Sequence, residues 1–234
     1  MKKFVIMLVF ALLPFFAHAV PPQQPKSEGI ESPNYVWNAD GGEKKEILKL
    51  KGNALLGKEA YQGCQGCHKA NGAGRSDGSY PQLAGQHASV LIKQIADIRA
   101  GLRENQKMFP FAGNHAVTTQ EVADIAIYLQ NMKIPRDNGK GPGTDLEHGK
   151  QLYMKDCQVC HGDNGEGSAE EFYPVLAGQH YQYMLREIRD IRKGKRRNAN
   201  PKMVKVVKDY SDAEAEAVSD YMSRLLMPER AAEQ

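Results

Sequence analysis

The sequence predicts an all-α protein of two tandem domains related by internal duplication, and three observations predict it. First, Cys64-x-x-Cys67-His68 returns as Cys157-x-x-Cys160-His161, and Leu-Ala-Gly-Gln-His at 83–87 returns at 176–180, so the repeat offset is 93 residues. Second, between these motifs apolar residues recur at helical spacing, with no convincing alternating strand pattern. Third, a stretch rich in Gly, Pro and charge, 135–145, separates the copies as a linker. Two copies are too few for a solenoid, so the repeat reads as duplication of a globular unit.

Taken in order, the chain opens with Lys2 and Lys3, an apolar run from Phe4 to Ala17, and Ala17-His18-Ala19. That is the pattern of a secretory signal peptide, 1–19, cleaved after Ala19. The run is shorter than the roughly 20 residues a membrane-spanning helix needs. The expected product is exported and soluble. Loss of the two lysines lowers the basic count from 31 to 29 against 28 acids. This near-neutral balance excludes a dedicated nucleic-acid binder, which shows a strongly basic domain. An N-terminal extension follows, 20–52. Its Pro-rich start is expected to be disordered or extended. Tyr35 and the single tryptophan, Trp37, are expected to pack as a flap on one domain, with a partner-binding arm as the alternative.

The domains are expected at 53–134 and 146–234, each with three helices and long loops. The first helix of each runs into the cysteines, with Asn53 a candidate N-cap. The second places Val90, Leu91, Ile95 and Ile98 on one face and stops at Gly101; its counterpart stops at Gly194. The third opens on a capping box, Thr118 with Glu121 and Ser211 with Glu214. Val122, Ile125 and Leu129 face inward in one copy, Val218, Tyr221 and Leu225 in the other. Pro135 and Pro228 close the copies.

All four cysteines lie in the repeated motifs. Two thiols two residues apart reach the two vinyl groups along one porphyrin edge, and the next histidine then lies under the iron. This is the c-type haem attachment signature. Cys64 and Cys67 are expected to hold one haem with His68 on its iron, and Cys157, Cys160 and His161 the second. A zinc ribbon would bring its two CxxC motifs within about 15–20 residues. A thioredoxin-like motif would need a βαβ setting. A disulfide within each pair leaves both histidines unexplained.

A second axial ligand separates an electron carrier from a catalyst. Methionine sulfur is soft and raises the potential. The repeat selects Met108 and Met203, which follow polar loops and precede the third helix in each copy. Met132, Met154, Met184, Met222 and Met227 meet Leu225, Tyr61, Leu91, Leu129 and Ile134 at the offset and are expected in the core. Pro81 and Pro174 each follow the motif histidine by 13 residues. Their carbonyls are natural acceptors for the other ring nitrogen of His68 and His161. Tyr80 and Tyr173 are candidates to cover the haem edge. Arg99 and Arg192 are candidates for propionate contacts, with a solvated helix face as the alternative. His87 and His180 recur too, which keeps bis-histidine ligation as a second possibility. His115 and His148 have no repeat partners and read as surface residues. The run from Arg186 to Lys208 holds ten Lys/Arg against two acids, Glu187 and Asp190, with Asp209 just beyond it. It reads as a solvated face or a dock for an acidic redox partner.

These motifs together, with Gln106-Lys107-Met108-Phe109-Pro110-Phe111-Ala112 and its counterpart around Met203, resemble the dihaem cytochrome c4 family of bacterial class I cytochromes c over roughly 53–228. The resemblance implies two class I cytochrome c domains about a pseudo-twofold axis, two covalently bound haem c groups, and His/Met iron from His68 with Met108 and His161 with Met203. It implies periplasmic transfer of single electrons between redox proteins, such as a cytochrome bc complex and a terminal oxidase, with no small-molecule substrate. The loop around Met203 departs from the first copy, and the extension has no counterpart. A dihaem thiosulfate dehydrogenase or peroxidase, or the electron-acceptor subunit of a dehydrogenase complex, is the alternative.

Overall fold

A computed structural model describes residues 22–227. The signal-peptide segment and Pro228 lie outside the described residues. Helix α1 spans Gly42–Leu48, α2 Ala54–Ala60, α3 Gln65–His68, α4 Ala88–Arg99, α5 Phe109–Ala112 and α6 Thr119–Asn131. The second copy contributes α7 Leu146–Leu152, α8 Gln158–His161, α9 Tyr181–Arg192, α10 Pro201–Val207 and α11 Asp212–Met222. Among the described residues the only extended pairing is an isolated bridge between Ser168 and Tyr173.

Local chemistry fixes the helix ends. Asn53 Oδ1 accepts from the Leu55 and Leu56 amides at the start of α2. Thr118 and Ser211 form reciprocal capping boxes with Glu121 and Glu214. Gly101 and Gly194 end α4 and α9 with φ of +73° and +70°, a region that favours glycine. In each copy the helix before the cysteines crosses the last helix. Gly57 of α2 lies against the Asp124 carbonyl and Gly149 of α7 against the Ala217 carbonyl; a Cβ at either would sit 2.1 Å from that oxygen. Around the first crossing Tyr61, Leu91, Val122, Ile125 and Leu129 are buried, and around the second Leu152, Tyr153, Met184, Val218 and Leu225.

The copies differ by one residue before the cysteines. Tyr61–Gly63 is a 3-10 turn, whereas Tyr153–Cys157 is a π turn that absorbs an extra residue. Tyr153, not Met154, is therefore the counterpart of Tyr61. Each phenol donates to the backbone carbonyl just after a motif histidine, Lys69 at 3.0 Å and Gly162 at 2.6 Å. This corrects the core assignment of Met154, which is 56% exposed. Met184 and Met222 are buried, and Met132 and Met227 pack against the cores.

The repeated Leu-Ala-Gly-Gln-His motif forms the seam between the domains. Gln86 donates to the Val175 carbonyl and accepts from its amide, and Gln179 does the same to Gln82, all at 2.9–3.0 Å. His87 Nε2 bonds the Glu166 carbonyl at 2.8 Å, and His180 Nε2 bonds the Ala73 carbonyl at 2.7 Å. Each pair maps onto the other at the offset of 93, which is a pseudo-twofold axis written in hydrogen bonds. The linker is fastened too. Asn138 donates to the Gln179 and Ser223 carbonyls, and Gly139 donates to His180 Nδ1.

Over its described residues, 22–52, the extension is ordered and touches both domains. Buried Gln24 donates to the Ile98 and Arg103 carbonyls and accepts from the Asn105 amide. Ile30 donates to the Arg197 carbonyl, and Arg197 pairs with Glu31. Trp37 stacks on Tyr173 of the second domain and lies under Lys93 of the first. Helix α1 then buries Ile47 in the first core. The extension is thus a strap across both domains rather than a flap on one.

Candidate functional site

In each copy the first helix and its turn deliver the cysteine pair, and a helix of one turn, α3 or α8, ends on the motif histidine. None of the four cysteines is paired in a disulfide. Burial pushes the Cys64 thiol up to about 11 and the Cys157 thiol up to about 12. A zinc or redox-active cysteine sits in the opposite setting, one that favours the thiolate. No cluster of three His, Cys, Asp or Glu suited to a metal ion occurs among the described residues.

His68 Nδ1 lies 3.1 Å from the Pro81 carbonyl, and His161 Nδ1 lies 3.1 Å from the Pro174 carbonyl. A carbonyl only accepts, so Nδ1 carries the proton and Nε2 is the nitrogen free to bind a metal. Both rings are buried, and burial lowers their basicity, against the opposing pull of the proline carbonyl. A neutral imidazole with an oriented Nε2 beside two thiols two residues apart is the donor set that haem c requires. Tyr80 and Tyr173 lie edge-on or tilted to these histidines, with centroids 6.0 and 6.3 Å away.

Met108 caps α5, and Met203 lies in α10 packed against the second core; both are half-buried. The departure of the second loop is structural. Pro201 at the first turn and the Asn200 cap extend that helix to seven residues, against four in α5. His87 and His180 face the opposite domain, where they bond carbonyls. This argues against the bis-histidine alternative. His115 is exposed and bonds the Pro110 carbonyl, and His148 is half-buried.

Arg99 is buried, not solvated. Its guanidinium holds the Ala112 and Val117 carbonyls, at the two ends of the segment that joins α5 to α6 after Met108, and pairs with Glu43 of α1. Arg192 similarly donates to the Tyr210 carbonyl and to Asp212, both at 2.5 Å. The geometry makes both arginines anchors of the segments that follow the two methionines.

The seam holds a second pair of arginines that sequence reasoning missed. Arg103 and Arg196 are also 93 residues apart, as are Gln94 and Glu187. Both guanidiniums donate to Gln94 Oε1, at 3.1 and 2.9 Å, and both pair with Glu187. Lys93 pairs with Asp97, which also accepts from Asn198 at 2.7 Å. Burial and the neighbouring Arg103 push the Arg196 guanidinium down to about 9. Burial would raise the Tyr183 phenol, but Arg103 and Arg196 outweigh it and hold it below its ordinary value. Three cations against two carboxylates make the seam electropositive. The offset was the signal that finds this pair.

Comparison with known proteins agrees with this architecture. The family profile described as "Cytochrome c" matches residues 54–133 and again 146–226. Cytochrome c4 of Azotobacter vinelandii is 31% identical, over 76% of this chain and 92% of that protein. A protein of Stutzerimonas stutzeri named "Thiosulfate dehydrogenase electron acceptor" is also 31% identical, over 76% of this chain and 90% of its own. The crystal structure of reduced cytochrome c4 from Pseudomonas stutzeri superposes with a TM-score of 0.65 at 27% identity, covering 75% of this chain and all of that one. With two haem-attachment motifs in two cytochrome c domains, the chain belongs to the cytochrome c family as a dihaem protein of the cytochrome c4 group.

Proposed function

We propose that the protein carries single electrons between redox proteins in the periplasm, with His68 and Met108 as axial ligands of one haem and His161 and Met203 of the other. The observation that carries this reading is the duplicated bond from a CxxCH histidine to a proline carbonyl. A ring held at Nδ1 in both copies is built to ligate a metal permanently at Nε2. The haem supplies a one-electron ferric/ferrous couple when bound. The chain's residues set its poise: sulfur donors favour the reduced form, and buried surroundings disfavour the charged one. Cys64, Cys67, Cys157 and Cys160 fix each group covalently. Arg103 and Arg196 are the proposed partners for haem carboxylates, because they concentrate positive charge where the domains meet. The Arg99 and Arg192 ties hold the methionine loops against α4 and α9.

The test is a haem assay, a redox titration followed by absorbance, and substrate assays on the purified exported protein. The expected result is two covalent haems per chain, both six-coordinate, reversible, and without turnover of peroxide or thiosulfate. A high-spin haem with turnover overturns the carrier reading. A second reading, the electron acceptor of a dehydrogenase, is favoured by the relative that bears that name. It predicts direct reduction of this protein by a thiosulfate-oxidising enzyme.

A further inference from the structure

The two sites are nearly superposable in sequence, yet the strap treats them differently. Tyr80 leans on His68 with its ring centroid 6.0 Å away, and exposed Arg75 lies over its face at 5.2 Å. Tyr173 leans on His161 at 6.3 Å, and the indole of Trp37 is stacked on it at 6.3 Å and 24°. The strap is held on both sides of that stack. Before it, Arg197 binds Glu31 and the Ser27 carbonyl. After it, Lys44 lies over Phe172 at 5.4 Å and donates to Asn38 and the Ala39 carbonyl. Lys93, ion-paired to Asp97, lies over Trp37 at 5.5 Å. Trp37 is thereby fixed between the domains, and its stacking partner belongs to the second site.

We propose that the strap is a potential-setting element for one haem of the two: Trp37 excludes water from the Tyr173 side of the second site and so raises the potential there, while at the first site Tyr80 carries only the exposed Arg75. The physical basis is the hydration of the ferric state. Water near an iron ligand stabilises the form with the extra positive charge, and an apolar ring in its place disfavours it. The asymmetry gives electrons a preferred resting place in a chain whose two sites are otherwise copies. Trp37 acts through Tyr173 and is a positioning residue. The inference rests on the dihaem His/Met reading proposed above.

The experiment compares the full-length holoprotein with Trp37→Ala and Trp37→Phe, each first assayed for covalent haem. Redox titrations are then run in the parent and in the Met108→Ala and Met203→Ala backgrounds, which separate the two haems. The expected result is that W37A lowers one midpoint in the parent, lowers the second haem's in the Met108→Ala background, and leaves the first haem's unchanged in the Met203→Ala background. W37F, which keeps an aromatic face, holds that midpoint close to the parent's. Unchanged midpoints, equal shifts of both haems, or a shift confined to the first haem overturn the proposal. Fewer than two covalent haems in the parent, or methionine substitutions without effect on either haem, sink the ligation reading instead.

Discussion

In the proposed His/Met ligation, a single sulfur atom per domain sets how strongly each iron holds its electron. Axial ligands tune haem potentials over about 0.8 V, and methionine sits towards the high end because its sulfur favours ferrous iron. Met108→Ala and Met203→Ala are each expected to lower one midpoint by roughly 0.1–0.3 V, a fraction of that span. Each is also expected to remove half of the methionine–iron absorption of the oxidised protein; titration with spectra checks both. If neither substitution moves a midpoint, sulfur is not the ligand. The residue scale also shows where reading the chain alone falls short. Arg99 and Arg192 stood out because they sit in a repeated Asp-Ile-Arg at the end of an amphipathic helix, but helical position does not reveal what a guanidinium touches. Arg103 and Arg196 repeat equally well. They lie in loops without periodicity, so only the three-dimensional seam shows that they converge on Gln94 and Glu187.

Among the elements, the helices were legible because their signals are local. Capping boxes, glycine stops and apolar faces depend on neighbours three or four residues away. The seam and the strap were not, because the bonds that tie them down join residues far apart in the chain, 74 between Gln24 and Ile98 and 107 between Ala73 and His180, with no periodic pattern. The Leu-Ala-Gly-Gln-His repeat was visible as a repeat, but only its partners explain it. Gln86 serves a buried backbone amide and carbonyl of the opposite domain at once. Truncation leaves both groups without a partner, at roughly 1–3 kcal/mol each. Gln86→Ala and Gln179→Ala are therefore each expected to destabilise the protein by ~2–4 kcal/mol, and by similar amounts because the axis makes their surroundings equivalent. Chemical denaturation of the holoprotein checks this. A loss below 0.5 kcal/mol, about the smallest value expected of one hydrogen bond, would mean that water replaces the bonds.

For the molecule as a whole, the domain pair responds to charge in two ways. Arginines of the basic run are tied internally, as Arg189 and Arg192 are to Asp212 and Arg197 is to Glu31, while Lys193, Lys195, Lys202, Lys205 and Lys208 are exposed around the Met203 loop. Electron exchange with an acidic redox protein is expected to slow as salt rises from 0.01 to 0.2 M, since screening shortens the reach of such a face to roughly 10 Å or less. Lys202→Glu with Lys205→Glu is expected to remove most of that dependence, as stopped-flow rates would show. The seam responds to pH through His180. Its Nε2–H donates to the Ala73 carbonyl, and its Nδ1 accepts from the Gly139 amide, so the buried ring must be neutral. Burial lowers its basicity below the ordinary 6.5, more than the Ala73 carbonyl raises it. The unfolded chain therefore takes up this proton at a higher pH than the folded one. Stability from the neutral ring is complete above about pH 6.5 and is lost as pH falls from there towards the depressed folded value. Protonation at Nδ1 also ends the Gly139 bond, worth about 1 kcal/mol, or ~2–4 °C in a protein of this size. Thermal melts of the holoprotein at pH 7.5 and 5 are expected to differ by at least that much. In His180→Asn, which has no titrating ring, the melting temperature starts lower and this part of the pH dependence is missing. Parallel curves for the two proteins would show that the seam is not where acid acts.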